Sequence, residues 1–263
     1  MRRETFDTPG RLELDVRVPT GDVDLETVEG TETVVELSAS PELEEEARIE
    51  LHPKRDGHEV SVIIEKRSGL FRSFRGDIRL RITVPPGADV DVSTASADVD
   101  ARGDFGAAKV NTASGDVNWD HVGGEAQVNS ASGDVNIKQV DGPLTVNTAS
   151  GDVEVGRLEG EGKVRAASGD IKVDEAETSL KIQTASGDVD VESVREGDVT
   201  LQTASGDIEV GIRQGSKLWI DAKSMSGETS SELELGDAPT DGEGPLVEVR
   251  ATAMSGDIKV KRA

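Results

Sequence analysis

Apolar residues recur two positions apart in short strings along most of the chain. Leu144 and Val146 form one such pair, and Val153 and Val155 form the next. Side chains two positions apart point to the same face of an extended strand, so this spacing is typical of strands with one buried face. Convincing helical spacing is confined to the short acidic stretch 42–47. The pattern therefore predicts an all-β protein built from short strands.

The strand pairs flank a repeated motif, T-A-S-G-D-V, and the repeat sets the architecture. The motif serines are Ser96, Ser114, Ser132, Ser150, Ser168, Ser186, Ser205, Ser226 and Ser255. Their spacing is constant as far as Ser186, and the three later intervals are progressively longer, which we interpret as loop insertions. Two short strands cannot enclose a core alone, whereas stacked units pair with their neighbours and bury apolar columns. We predict a single-stranded β-helix (β-solenoid) of about 18 residues per coil, right-handed by the general bias of parallel crossovers.

We predict that residues 8–263 form one solenoid domain. Residues 91–263 hold the regular S-G-D coils, and residues 8–90 hold irregular initial coils and a cap. The segment 21–25, G-D-V-D-L, copies the pattern that follows each motif serine, so the first part is expected to belong to the same stack. Further early strands are expected at 47–52, 59–65 and 77–84.

Composition fits a narrow interior and limits the classes of partner. Aromatic residues make up only 2% of the chain, so stacked aliphatic side chains must fill the core. Cysteine is absent, which excludes disulfides, thiolate zinc sites and thiol nucleophiles. The formal net charge of −24 repels nucleic acids and anionic membranes, so no nucleic-acid partner is expected. No apolar run suits a membrane span or a signal peptide, so we expect a cytoplasmic protein.

The motif aspartates should stack in one column, because each occupies the same place in its coil. In the most regular repeats they are Asp116, Asp134, Asp152, Asp170 and Asp188. Carboxylates about 4.8 Å apart repel one another, so some interaction must offset the repulsion. Each carboxylate can accept turn N–H groups, as in Asx turns, or cations such as Ca²⁺ can bind along the column. One aspartate per coil supplies few metal ligands, so turn capping is favoured and no cofactor is predicted.

Two further features of the motif have structural consequences. Glycine follows almost every motif serine, as suits a turn with positive φ, but Ala97 replaces it in the first regular coil. That coil should be strained by roughly 1–2 kcal/mol or should turn differently. Beside the motif hydroxyls, Asn111, Asn129 and Asn147 should form a polar ladder that stabilises the strands. The alternative for this ladder is a ligand-binding stripe.

The stretch K-R-S-G-L-F-R-S-F-R-G-D, residues 66–77, breaks the acidic trend. A loop that mixes aromatic residues with arginine can be the energetic centre of an interface. The alternative is that its apolar residues cover an open end of the core, since solenoid ends need caps. The candidate partner-binding residues are Arg67, Phe71, Arg72, Phe74 and Arg75.

Catalytic machinery is not apparent in the sequence. His52, His58 and His121 are the only candidate bases near neutral pH, and no nucleophile elbow, phosphate-binding loop or metal-binding histidine pair occurs. A polysaccharide-acting β-helix enzyme is one alternative, and a crevice with convergent carboxylates and aromatic walls would support it. A cation-dependent structural β-roll is another. Trp119 and Trp219 fit the apolar strand pattern at least as well as a ligand-binding role.

The repeat resembles that of a bacterial β-strand-repeat family of unknown function whose members are described as putative adhesins. The resemblance rests on T-A-S-G-D-V at residues 112–117, 148–153 and 184–189, and it covers most of the chain. It implies a β-helical fold and, as in some relatives, association with the cell envelope. We therefore expect a non-enzymatic interaction or scaffold protein, adhesin-like, that binds a protein or cell-envelope partner through a solenoid face or the 66–75 loop.

Overall fold

The computed structural model describes residues 1–64, 78–231 and 244–263. Strands account for 72% of these residues and helix for 3%, which confirms the all-β prediction. Contacts divide the chain into two compact units, Met1–Gly133 (unit 1) and Asp134–Ala263 (unit 2). In the described residues the one helix is α1 (Pro41–Glu46), in which the Ser40 side chain caps the first turn. None of the helical structure described is long and apolar enough to cross a bilayer.

In unit 1 the long strand β2 (Arg11–Thr27) lies between strands that come later in the sequence. β2 pairs in parallel with β5 and β6 on one side and with β7 on the other. β8 and β9 then pair with the two halves of β7, and β10 pairs with β8, all in parallel. The strands are β1 (Arg2–Asp7), β2 (Arg11–Thr27), β3 (Glu32–Ser38), β4 (Arg48–Lys54), β5 (Gly57–Ile63), β6 (Arg79–Val84), β7 (Asp89–Phe105), β8 (Ala108–Ser114), β9 (Val117–Val122) and β10 (Ala126–Ser132).

Antiparallel strands close the end of unit 1 beyond β5 and β6. β3 lies between β1 and β6 and is antiparallel to both, and β4 is antiparallel to β5. The strands expected at 47–52, 59–65 and 77–84 correspond to β4, β5 and β6. β4 turns back on β5 as an antiparallel hairpin, and β2 lies between β5 and β7. That residues 8–90 form irregular initial coils and a cap of one solenoid domain stays a prediction.

Unit 2 is a stack of parallel coils. Each coil contributes one strand to a first sheet and one strand to a second sheet. In the first sheet β12, β14, β16 and β18 pair in that order, and Ser150 faces Ser168, which faces Ser186. In the second sheet β11, β13, β15, β17 and β19 follow the same order. These registers confirm a β-solenoid with the predicted period; its handedness stays a prediction. The strands are β11 (Val135–Val140), β12 (Leu144–Ser150), β13 (Val153–Leu158), β14 (Gly162–Ser168), β15 (Ile171–Ala176), β16 (Leu180–Ser186), β17 (Val189–Val194), β18 (Gly197–Ser205), β19 (Ile208–Ile212), β20 (Lys217–Ser224), β21 (Thr229–Ser231), β22 (Leu246–Ser255) and β23 (Ile258–Arg262).

The last coils of unit 2 do not follow the order of the chain. β22 pairs with β18 on one side and with β20 on the other, and β23 lies between β19 and β21 in the same way. Ser205 therefore faces Ser255, while the Gly256 N–H donates to the carbonyl of Ser226 in the outermost coil. The interpretation of the two longest serine intervals as insertions in a sequential stack is wrong. After β18 and β19 the chain forms the outermost coil with β20 and β21. Its last two strands, β22 and β23, then lie between these two coils.

The core consists of aliphatic columns that run from coil to coil. Val146, Val164 and Ile182 form one of them, and each is completely buried. Burying such a side chain stabilises the fold by about 1.5–3 kcal/mol, so repetition compensates for the scarcity of aromatics. Trp119 is buried against Phe105 with ring centroids 5.2 Å apart, as its place in the strand pattern predicts. For Trp219 that prediction is wrong, because it lies on β20, the outermost strand of its sheet, and is 47% exposed.

The coil that contains Ala97 turns differently from the later ones. β7 runs without interruption through Ala97, whereas the strands of later coils end at the serine before the glycine. The Ala97 N–H donates to Thr94 Oγ1 at 2.8 Å. In later coils the equivalent hydroxyls donate instead, as Thr148 Oγ1 does to the carbonyl of Ser150 at 3.0 Å. Of the two expectations for this coil, the altered turn is therefore the one that the structure bears out.

Candidate functional site

The motif aspartates form a hydrogen-bonded column in each unit. In unit 2 the Asp152 N–H donates to Asp134 Oδ1 at 2.9 Å, and the Asp170 N–H donates to Asp152 Oδ1 at 2.8 Å. The pattern continues through Asp188, Asp207, Asp257 and Glu228, and in unit 1 it joins Asp116 to Asp98. The carboxylates therefore accept backbone N–H groups, as predicted, but the donor belongs to the neighbouring coil. This arrangement ties the coils together at each turn.

Neither sequence-predicted binding site is established by the geometry. Among the described residues, no group of three or more His, Asp or Glu side chains is arranged to hold a metal ion, so the cation column stays a prediction. The partner-binding candidates Arg67, Phe71, Arg72, Phe74 and Arg75 lie outside the described residues. The predicted polar ladder does form in unit 1, where Asn129 Nδ2 donates to Asn111 Oδ1 at 3.0 Å.

The outer surface of the first sheet of unit 2 is rich in cations. The sheet contains β12, β14, β16, β18, β22 and β20 in that order, and alternate residues point outward in two columns. One column is Thr145, Lys163, Lys181, Thr200, Arg250 and Asp221, and the other is Asn147, Arg165, Gln183, Gln202, Thr252 and Lys223. We name the five cations of these columns the basic strip: Lys163, Arg165, Lys181, Lys223 and Arg250.

Three cations of the basic strip have no carboxylate partner among the described residues, namely Lys163, Arg165 and Lys181. Arg250 binds Glu248 and Lys223 binds Asp221, each pair at 2.8 Å. Two neighbouring strands of a strongly acidic protein, β14 and β16, therefore display positive charge that these columns do not neutralise. Carboxylates border the strip on both sides. Glu161, Asp198 and Glu248 lie two residues before the first column along their chain segments, and the aspartate column follows the C-terminal ends of the strands.

Hydrogen bonds between side chains order the second column of this surface. Arg165 Nε donates to Gln183 Oε1 at 3.3 Å, and Gln183 Nε2 donates to Gln202 Oε1 at 2.7 Å. The amide ladder therefore continues the asparagine ladder of unit 1 in kind, with longer side chains. Because each side chain is held by the next, the polar groups have a regular spacing along the stack.

An exposed aromatic ring lies at one end of the basic strip. Trp219 on β20 is opposite Glu248 in the register, and the guanidinium carbon of Arg250 is 5.3 Å from the centre of its ring. A cation over an aromatic face is attracted by the ring quadrupole, so the two side chains hold each other in place. The result is a partly exposed aromatic face beside a guanidinium group.

The second sheet of unit 2 carries its cations in ion pairs. Lys172 binds Asp174 and Glu192, both at 3.0 Å. Burial raises the pKa of Asp190, whose Oδ1 is buried without a hydrogen-bond partner in the described part of the chain. Lys261 binds Glu209 at 2.6 Å. Lys172 and Lys261 of this sheet are therefore paired with carboxylates, unlike Lys163, Arg165 and Lys181 among the described cations of the basic strip.

Three arginines of unit 2, one on β13 and two directly after β17 and β19, surround one carboxylate. Arg157, Arg195 and Arg213 approach Glu177 at 3.3, 3.2 and 3.1 Å. Burial alone would raise the pKa of Glu177, but the hydrogen bonds from Arg195 and Arg213 and the charge of Arg157 lower it overall. These arginines are therefore committed to structural ion pairs.

Unit 1 contains an open cleft of 470 Å³. Its cations are paired: Arg11 lies 2.6 Å from Asp89, Lys109 lies 3.0 Å from Asp91, and Lys54 binds both Glu13 and Glu59. The described residues that line the cleft include no aromatic side chain. A polysaccharide-acting enzyme is expected to have aromatic walls in its cleft, and the described lining of this cleft has none.

The histidines do not converge on a common site in the described residues. His121 Nδ1 lies 2.7 Å from Asp104 Oδ1, His52 lies 3.3 Å from Glu50, and His58 Nδ1 lies 3.1 Å from the Pro9 carbonyl. The contact between His121 and Asp104 was not foreseen, because it depends on the register between β7 and β9. It is an ion pair of neighbouring coils when the imidazole is protonated.

Parallel coils with an interior of aliphatic columns and an exterior of polar ladders define a β-solenoid repeat domain. The chain belongs to the family described as Toastrack DUF4097, which it matches over residues 11–198 and 161–261. This match confirms the predicted membership of a repeat family of unknown function. No curated protein matches the chain.

Several solved structures are similar to the chain over almost its whole length. A putative adhesin from Parabacteroides distasonis ATCC 8503 has 10% identity and a TM-score of 0.42, with coverage of 98% of this chain and 96% of the other. A putative adhesin from Bacteroides fragilis NCTC 9343 has 12% identity and a TM-score of 0.34, with the same coverages. A putative cell adhesion protein from Clostridium sporogenes ATCC 15579 has 12% identity and a TM-score of 0.29, with coverages of 100% and 99%.

Proposed function

We propose that the protein is a non-enzymatic, adhesin-like solenoid that binds a cell-envelope partner through the outer surface of the first sheet of unit 2. The observation that supports this proposal is the basic strip, in which Lys163, Arg165 and Lys181 lack carboxylate partners among the described residues. Elsewhere in the described part of unit 2, the cations of the second sheet and the arginines around Glu177 stabilise the fold through ion pairs. Cations without such a role remain available to a partner.

The arrangement of the strip favours binding over catalysis. Four of its five side chains stand on strands that pair with a parallel strand on both sides, β14, β16 and β22, so the points at which these side chains leave the backbone are fixed before a partner arrives. Preorganised polar groups lose less conformational freedom on binding, which increases affinity. The outward columns contain one carboxylate, Asp221, and it is paired with Lys223 at 2.8 Å. A pair of carboxylates for acid–base chemistry is therefore absent from these two columns.

Co-sedimentation with isolated bacterial cell envelopes tests the proposal. The strip variant replaces four of the five strip cations, as Lys163→Ser, Arg165→Ser, Lys181→Ser and Arg250→Ser. The control variant removes four exposed cations of unit 1, as Arg3→Ser, Arg79→Ser, Arg81→Ser and Arg102→Ser, so that both variants have the same net charge.

We expect the wild type and the control variant to sediment with the envelopes and the strip variant to remain in solution. Far-UV circular dichroism verifies that both variants retain the strand content of the wild type. Equal sedimentation of the two variants would show that the first sheet of unit 2 is not the binding surface.

A further inference from the structure

We infer that the basic strip binds a linear anionic polysaccharide that lies across the strands, along the direction in which the coils stack. The inference rests on the proposed function and specifies the ligand class of the same surface. It follows from the spacing of the cations, the amide ladder beside them and the exposed tryptophan at one end.

The cations recur at the spacing of the coils. Lys163 and Lys181 occupy neighbouring strands, and Arg250 follows two strands later, after Thr200. With strands about 4.8 Å apart, these three cations cover roughly 14 Å along the stack. An extended polymer with an acidic group on each sugar, or on every second sugar, can therefore contact several of them at once. A single small anion would contact only one or two.

The uncharged residues of the two columns match the hydroxyl groups of a sugar chain. Gln183 and Gln202 belong to the ordered amide ladder, and Gln202 and Thr252 are exposed. Amide and hydroxyl side chains both donate and accept hydrogen bonds, as sugar hydroxyls do. Cations alone would select only for charge, whereas this mixture also suits the neutral part of an anionic glycan.

Trp219 offers a flat apolar surface at the end of the strip. Its ring is 47% exposed and lies 5.3 Å from the guanidinium carbon of Arg250. An aromatic ring has a large apolar face, so the exposed part of Trp219 can pack against the C–H face of a pyranose. Arg250 pairs with Glu248 at 2.8 Å and lies 3.8 Å from Asp198, so its role here is to hold the ring in place. Lys163, Arg165 and Lys181, unpaired among the described residues, supply the charge for acidic groups further along the chain of sugars.

The surroundings of the strip disfavour nucleic acid. Duplex DNA has one charge per about 1.7 Å of its axis and a single strand one per about 3.4 Å, which is denser than the spacing of these cations. Glu161, Asp198 and the aspartate column on either side repel any polyanion, and they repel a nucleic acid more strongly than a glycan with one charge on each sugar or on every second sugar. Sequence-independent binding of single strands also relies on several stacked aromatic rings, whereas these columns adjoin only Trp219.

An acidic protein is also a poorer match than a glycan. The centre of a protein–protein interface is typically apolar and depleted of charged residues. Here the two columns hold Lys163, Arg165, Lys181, Gln183, Thr200 and Gln202 on β14, β16 and β18, and all six are polar. The apolar residues on the same outer surface of these strands are the small side chains of Ala167, Ala185 and Ala204.

Affinity electrophoresis of the full chain in gels containing a defined polymer tests the inference. The polymers are polygalacturonate, its fully methyl-esterified and therefore neutral form, dextran sulfate, neutral dextran and single-stranded oligo(dT). We expect polygalacturonate or dextran sulfate to retard the protein and their neutral counterparts not to do so. The strip variant should bind roughly 30-fold more weakly, as four exposed ion pairs of intermediate strength imply, while the control variant should bind like the wild type. Trp219→Ala should weaken binding without changing its dependence on salt, since it removes no charge.

Each remaining result contradicts the inference. Failure of both anionic polysaccharides to retard the protein, equal binding of the neutral forms, or an unaffected strip variant would each overturn it. Binding of oligo(dT) at least as tight as that of the polysaccharides would assign the strip to nucleic acid instead. If these assays fail while the strip variant still loses envelope binding, the proposed function stands and only the ligand class is wrong. If the strip variant lost neither envelope binding nor polysaccharide binding, both the proposed function and the ligand class would be refuted.

Discussion

Replacing Gly169 with alanine should destabilise unit 2 by much more than the conformational preference of alanine accounts for. Gly169 has φ of +124°, a region that residues with a side chain rarely adopt. An added Cβ would lie 2.2 Å from the Gly151 carbonyl oxygen and 2.7 Å from its carbon. Both are backbone atoms of the neighbouring coil, so they cannot move away as a flexible side chain could. The coils would have to separate at this turn.

The expected loss has two parts. Positive φ costs alanine about 1–2 kcal/mol. Separating the coils of Gly151 and Gly169 also weakens the hydrogen bonds from the Val153 N–H to the Asp170 carbonyl at 2.9 Å and from the Asp170 N–H to Asp152 Oδ1 at 2.8 Å. Each is worth about 1 kcal/mol. The free energy of unfolding should therefore fall by about 3–4 kcal/mol.

Gly215→Ala is the matched control within the same unit. Gly215 has φ of +87°, and an added Cβ would meet nothing within 4 Å, so only the conformational cost of about 1–2 kcal/mol should appear. Urea unfolding followed by far-UV circular dichroism measures both variants, and hydrogen exchange locates the loss of protection. If Gly169→Ala lost no more stability than Gly215→Ala, the close stacking of the turns would be refuted.

Three further predictions concern the charged groups. Because burial raises the pKa of Asp190, its ionised form destabilises the fold above the ordinary value of 3.8; the melting temperature of Asp190→Asn relative to the wild type should therefore increase as pH rises above 3.8 and level off once the raised pKa is passed, and a difference that does not change from pH 3 upward would contradict this. Glu177 has a lowered pKa, so its ionised form stabilises the fold above the ordinary value of 4.5; Glu177→Gln should cost about 1–2 kcal/mol at pH 7 and progressively less as pH falls below that value. Because backbone N–H groups already occupy Asp152 Oδ1 and its equivalents, a chelator should leave the melting temperature unchanged, whereas a large decrease would support the cation column.

The regular coils could be predicted from the sequence because their period and their apolar alternation agree. Val146, Val164 and Ile182 are separated by one period each and lie two positions from other apolar residues, which is sufficient to place them in one buried column. The order of the coils at the ends could not be predicted in this way. Every coil offers the same two hydrogen-bonding edges, so similarity between repeats does not specify which coil is the neighbour of another.

The basic strip is only partly visible in the sequence. Lys163 and Lys181 are one period apart, so the repeat alone places that pair on neighbouring strands, but the net charge of −24 of the whole chain gives no sign of a local cluster of cations. Arg250 joins the strip only because β22 lies between β18 and β20. Trp219 is exposed for the same reason, since β20 is the outermost strand of its sheet.

Disulfide formation between engineered cysteines tests the interleaved stacking most directly, and the proposed binding surface depends on that stacking. The chain has no cysteine, so each double variant forms one defined pair. Ser205 and Ser255 face each other on neighbouring strands, where a separation of about 4.8 Å lies within the range that a disulfide spans. Ser205 and Ser226 are two coils apart, which is roughly 10 Å and too far to bridge.

Intact mass and the change in electrophoretic mobility after mild oxidation report the bond. We expect Ser205→Cys with Ser255→Cys to cross-link within one chain, and Ser205→Cys with Ser226→Cys to remain reduced. The opposite result would mean that the coils stack in the order of the chain, and Arg250 would then not lie beside Thr200 in the basic strip.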